Sequence, residues 1–173
     1  DLLYWNSDST NLPGPMYCWY LRNTYLENKL KQPNALKVCG TPLDLGRLRV
    51  PTFVYGSRED HIVPWDSAYA STQVVKGPTT FVLGASGHIA GVINPPEKKK
   101  RSFWKSPAGH EGLPARSSDW LQGAEELPGS WWPTWASWLE EHSGRWIKAP
   151  PRPGSKDYPA IEPAPGRYVK RRA

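Results

Sequence analysis

Two side chains have the types and the setting for proton-transfer chemistry. Asp60 lies in SREDHIV (57–63), directly after the apolar run VPTFVYG (50–56). His88 lies in GASGHIAG (84–91), at the end of the run TTFVLG (79–84). A carboxylate held on one imidazole nitrogen fixes the ring tautomer and stabilises the imidazolium, leaving the other nitrogen to take a proton from a nucleophile. General-base assistance of this kind is worth about 10²–10⁴-fold in rate. The Gly, Ala and Ser residues around His88 would let a substrate come close. His61, next to the carboxylate, either shapes the same site or caps the helix that follows.

For these groups to meet, the two apolar runs must be neighbouring strands. Both are rich in β-branched and aromatic residues and bounded by Gly or Pro, which suits buried parallel strands. Between them Pro64 fits a first helical turn, WDSAYASTQVV has Ala-rich helical character, and Gly77-Pro78 ends the helix. This is a strand–helix–strand unit, expected with a right-handed crossover. Parallel neighbours lie about 4.8 Å apart. Their loops leave at one carboxyl edge, where open α/β folds place their sites. Carboxylate then histidine, each after a strand, is also the second part of the α/β-hydrolase order of nucleophile, acid and histidine.

The first part of that order is missing. The chain has no G-x-S-x-G or G-x-C-x-G elbow. Cys18, in MYCWY, is too crowded for a tight elbow, and Cys39, in KVCGTP, lacks the upstream Gly. A papain-like role for Cys39 is the lesser alternative. The nucleophile is therefore expected upstream of this chain, and the chain alone is expected to be inactive.

Composition narrows the class. The 173 residues are 38% hydrophobic and 22% charged, the balance of a globular domain. No run approaches the roughly 18–20 apolar residues of a membrane span, and no signal segment opens the chain. It begins at Asp1 inside ordered-looking sequence, which reads as a fragment or a trimmed product. Of the net charge of +6, much sits in KKKR (98–101) and RYVKRR (167–172). These read as two solvated basic loops, or as an attraction for an anionic ligand such as a nucleotide-bearing thioester. No nucleic-acid-binding module is recognisable. Two cysteines without CxxC or His/Cys clustering give no metal site and no disulfide scaffold, and point to a reducing cytoplasm.

The remaining sequence suggests the scaffold. Residues 1–15 read as irregular, closed by Pro-Gly-Pro, and residues 16–30 as a helix with a broad aromatic face. Residues 36–49 suit a small hairpin. SSDWLQGAEE (117–126) reads as a short Ser-capped helix. GSWWPTWASWLEEHSG (129–144) sets Trp132, Trp135, Trp138 with Leu139, and His142 at helical spacing, a stripe suited to packing on a sheet rather than to a ligand. Residues 149–173 are Pro-rich and basic, an extended tail.

DLLYWNSDSTNLPGPMYCWYLRNTYLENKL, VPTFVYGSREDHIVPW, FVLGASGHIAGVINPP, GSWWPTWASWL and AIEPAPGRYVK resemble the C-terminal part of the catalytic domain of class I polyhydroxyalkanoate (poly-3-hydroxybutyrate) synthases. The resemblance implies the C-terminal portion of an α/β-hydrolase fold, a mostly parallel sheet flanked by helices and incomplete without upstream strands. It implies the end of a cap region at 1–15, the catalytic domain at 16–148 and the basic tail at 149–173. It further implies an acyltransferase that polymerises (R)-3-hydroxyacyl-coenzyme A into polyester, releases coenzyme A and uses a Cys–His–Asp triad.

Residue by residue, Asp60 of SRED and His88 of SGHIAG match the acid and the histidine, and one family proposal also has the acid help deprotonate the 3-hydroxyl. Tyr20 and Asn28 match residues near a substrate or product channel, and Trp5 matches one near a dimer contact. The family implies no cofactor beyond the coenzyme A that the substrate carries, a homodimer, and a cytoplasmic enzyme on the polyester granule surface. Two alternatives remain open: an α/β-hydrolase esterase or thioesterase, and a non-catalytic granule-binding module.

Overall fold

A computed structural model describes residue 7 and residues 9–107 and 112–171. The chain forms two compact units, Asp1–Glu27 with Arg145–Ala173, and Asn28–Gly144.

In the first unit, α1 (Gly14–Tyr20) starts after Pro13 and runs into a π-helical stretch, Leu21–Leu26. The wider turn is closed by the Glu27 amide donating to the Arg22 carbonyl, five residues back. Tyr20 and Tyr25 stand edge to face with ring centroids 5.7 Å apart. Residues 145–171 hold little regular structure beyond a 3₁₀ turn at Tyr168–Lys170.

The second unit carries the sheet. It opens with a hairpin, β1 (Leu36–Val38) and β2 (Thr41–Leu43), turned at Cys39 and Gly40. Both turn residues have positive φ, 49° and 79°, the handedness that matches strand twist in a two-residue hairpin. Next, β3 (Thr52–Ser57) and β4 (Thr79–Gly84) pair in parallel along all six residues, from Thr52 opposite Thr79 to Ser57 opposite Gly84. Between them lies α2 (Trp65–Val74). The sheet continues through β5 (Ser102–Lys105) and β6 (Glu125–Pro128), in spatial order β3-β4-β5-β6.

β5 runs antiparallel to β4, and β6 antiparallel to β5. The sheet is thus mixed, with one parallel and two antiparallel pairings among the described strands, where the resemblance implied a mostly parallel one. SFWK, preceded by the basic run 98–101, offers only two apolar residues as a strand signal. The suggested helix over 117–126 also stops short: α3 is Ser117–Gly123, and the next residues are strand. Gly123 weakens a helix, and Pro128 biases Leu127 towards extended backbone. Opposite charges then face each other across the strands, Lys105 beside Glu125.

Alternation along the strands divides the core into two faces. On one, Phe81, Leu83 and Trp104 pack with Tyr69 of α2 and Trp120 of α3. On the other, Val82 and Phe103 pack with Trp131, which precedes α4 (Trp132–His142). Helices therefore cover both faces, the α/β layering the sequence anticipated. Phe81, Val82 and Leu83 are no more than 1% exposed, which makes β4 the central strand. Each such side chain contributes roughly 1.5–3 kcal/mol relative to exposure. The tryptophan stripe does pack on the sheet: Trp138 meets Phe53 edge to face at 5.6 Å, while Trp135, 41% exposed, lies 5.8 Å from Trp131.

Candidate functional site

The site grows from the matched ends of β3 and β4. Past the last pair of the ladder, the Arg58 amide donates to the Gly84 carbonyl at 2.8 Å and the Glu59 amide to the Ser86 carbonyl at 3.0 Å. The two loops therefore leave the sheet side by side. The Asp60 amide donates back to the Ser57 carbonyl, 3.2 Å, closing a tight turn. Opposite, Ser86 takes φ 79°, an uncommon conformation for a residue with a side chain, and turns the chain out of β4.

This geometry joins Asp60 and His88. His88 Nδ1 lies 2.8 Å from Asp60 Oδ2, across 28 residues of sequence. The other oxygen, Oδ1, accepts the Ile62 and Val63 amides, each at 2.9 Å. These bonds hold the Asp60 carboxyl at about 2, below its ordinary 3.8. The Val63 amide is the largest influence; with the His88 ring and the Ile62 amide, it outweighs desolvation, which pushes upward. An ionised carboxylate only accepts, so Nδ1 must donate. In neutral His88 the lone pair is then on Nε2. The Asp60 side chain is 8% exposed and that of His88 44%, so the acid is sheltered and the base is open.

A carboxyl lowered in the folded state stabilises the protein above its unfolded value of about 3.9 and loses that contribution as pH falls through about 2. In the intact protein, the urea-midpoint gap between wild type and Asp60→Asn should narrow progressively as pH falls from about 5 to about 2, the span over which the carboxylate takes up its proton. A gap that widens over that span would contradict the bonding described.

Two glycines let the loops approach. A Cβ on Gly84 would strike the Tyr55 hydroxyl, and one on Gly91 would strike Ser57 Oγ. Ser57, 2% exposed, shares a 3.0 Å hydrogen bond with Tyr55. Burial raises the pKa of the Tyr55 hydroxyl above its usual value. Beyond His88 the chain coils, with the Gly91 amide donating to Gly87 O at 2.8 Å and that of Ile93 to Ile89 O at 2.9 Å.

His61 is exposed in the turn between Asp60 and α2. Tyr20 belongs to the first unit. Asn28, with φ 44°, lines a groove of about 310 Å³ with Leu30, Leu45 and the outer face of α2, and neither Asp60 nor His88 borders it. Trp5 lies outside the described residues. Cys39 forms the exposed hairpin turn, and Cys18 is exposed in α1. Among the described residues the His88 side chain hydrogen-bonds Asp60 alone, no group of three His, Cys, Asp or Glu side chains could hold a metal, and no helix is long and apolar enough to cross a membrane.

The sequence did not reveal what holds the histidine loop from the other side. Trp131 Nε1 donates to the Gly91 carbonyl at 3.1 Å, and Trp132 Nε1 to that of Val92 at 2.9 Å. The buried Asn94 amide reaches the carbonyls of Lys100 and Gly129, both at 3.3 Å. Helical spacing pointed to the stripe beginning at Trp132, whereas Trp131, just ahead of it, is the buried residue.

Comparison with known proteins adds chemistry. No protein-family model matches the chain. It is 61% identical, over its whole length, to the poly(3-hydroxyalkanoate) polymerase subunit PhaC of Cupriavidus necator, covering 29% of that protein. It is 44% identical over 99% of its length to the subunit of the same name in Rhizobium etli, covering 26%. It is 41% identical over 98% of its length to poly(3-hydroxyalkanoate) polymerase 2 of Ectopseudomonas oleovorans, covering 29%. The chain thus spans less than a third of the length of these relatives.

Proposed function

Because this chain belongs, by homology along its whole length, with the C-terminal part of the poly(3-hydroxyalkanoate) polymerases, we propose that it supplies the acid and the base of a polyester-forming acyltransferase. The observation that carries the reading is the 2.8 Å bond between Asp60 and His88 at the carboxyl edge of two parallel strands. The scaffold is the C-terminal portion of an α/β-hydrolase fold, and upstream strands extend the sheet from β3, whose second edge has no partner among the described strands.

His88 Nε2 takes the proton of an upstream cysteine as its sulfur attacks the carbonyl of an (R)-3-hydroxyacyl-coenzyme A thioester. The new enzyme–acyl bond forms, the bond to coenzyme A breaks, and the proton passes from His88 to the departing thiolate. A 3-hydroxyl then attacks the enzyme thioester, giving its proton to the same nitrogen; the new ester bond forms, the cysteine–acyl bond breaks, and His88 returns the proton to the departing cysteine thiolate. Asp60 holds the imidazole in the tautomer that accepts, and carries the charge of the imidazolium. No cofactor is required beyond the coenzyme A on the substrate. The working enzyme is a homodimer at the surface of a cytoplasmic polyester granule.

Product identity tests this reading. Incubated with (R)-3-hydroxybutyryl-coenzyme A, the full-length protein containing this segment should yield insoluble polyester, with one coenzyme A released per residue added. Free 3-hydroxybutyrate in place of polymer would make the protein a thioesterase instead.

A further inference from the structure

We propose that Trp131 is a positioning residue, whose buried indole sets the histidine loop in register with the acid-bearing strand and so fixes the approach of His88 to its nucleophile. This inference rests on the roles proposed above for Asp60 and His88.

The indole touches both halves of the pair's support. Its ring stacks on Tyr55 of β3, centroids 4.3 Å apart and planes at 28°, and lies 6.3 Å from Phe53 of the same strand. Its N–H donates to the Gly91 carbonyl, in a bond buried from solvent. Gly91 closes a single turn on Gly87 with His88 inside it, so whatever holds Gly91 holds the histidine. On its other side Gly91 rests against Ser57, which bonds Tyr55 and whose carbonyl anchors the Asp60 turn. Trp131, Tyr55, Ser57 and Gly91 thus close a ring of contacts around the point where the two loops meet.

A residue that only filled the core would need shape alone. A buried indole N–H also needs an acceptor, and here the acceptor is a carbonyl three residues beyond His88. Trp132 and Asn94 hold the same segment at its outer end. The leverage is geometric: misplacing a catalytic group by about 1 Å can cost on the order of 10²-fold in rate.

The test is Trp131→Phe in the full-length protein, which keeps an aromatic ring on Tyr55 and deletes the N–H. With (R)-3-hydroxybutyryl-coenzyme A, kcat should fall roughly ten- to a hundredfold while KM stays within about twofold. The far-downfield proton resonance of His88 Nδ1–H, assigned by its loss in His88→Ala, should broaden or move upfield. Should Trp131→Phe not fold, a tryptophan analogue with sulfur in place of the ring nitrogen, installed at residue 131 alone, deletes the same donor at nearly constant shape.

A kcat within about twofold of wild type overturns the proposal. So does a loss of kcat with the Nδ1 proton unchanged, which would mark a structural role only. Asp60→Asn and His88→Ala run alongside. If they retain turnover, the assignment of the pair fails; if they lose it and Trp131→Phe does not, only the role of Trp131 fails.

Discussion

Replacing His88 with alanine in the full-length protein should lower turnover by about 10⁴-fold or more and leave the fold intact. The side chain is 44% exposed, and among the described residues it hydrogen-bonds only Asp60. Its removal therefore opens no cavity in the core. What disappears is the group proposed to take the cysteine proton and later return one to the leaving thiolate. Coenzyme A release at saturating substrate measures the loss, and thermal unfolding verifies the fold. Turnover within about tenfold of wild type would remove His88 from the chemistry.

Asp60→Asn should cost nearly as much, about 10⁴-fold, through a different atom. An asparagine can still offer its oxygen to the Ile62 and Val63 amides, so the turn survives. Its NH₂ then faces His88 Nδ1, donor against donor. The ring relieves the conflict by moving its proton to Nε2, the nitrogen that should accept. With acid and base acting as one unit, as proposed, the double variant should lose little more than the worse single one. Multiplicative losses would mean that the two residues act in separate steps.

Legibility in the sequence followed the strength of local patterns. β4 is the run TTFVLG (79–84) that the sequence marks as a strand, because a continuous apolar stretch between Pro and Gly has few other homes. The approach of Asp60 to His88 was readable for the same reason, since two such runs joined by one helix leave their loops at one edge. β5 and β6 were not readable. Phe103 and Trp104 sit among lysines and arginines, and Glu125–Pro128 has a single large apolar residue, so register with β4 rather than local preference makes them strands. The indole bonds to the histidine loop were hidden too, because helical periodicity reports which side chains face the sheet and is silent about the N–H of a residue just before the helix.

The crossover that links β3 to β4 also bears on how the site comes into being. Asp60 and His88 belong to one contiguous stretch, so bringing them together closes a short loop, and each doubling of loop length adds only about 0.6 kcal/mol. Synthesis from the N-terminus completes that stretch well before residues 129–132, which hold the histidine loop from behind. The bond between Asp60 and His88 is thus accessible to a local folding event, whereas the bonds from residues 129–132 that hold the histidine loop must follow.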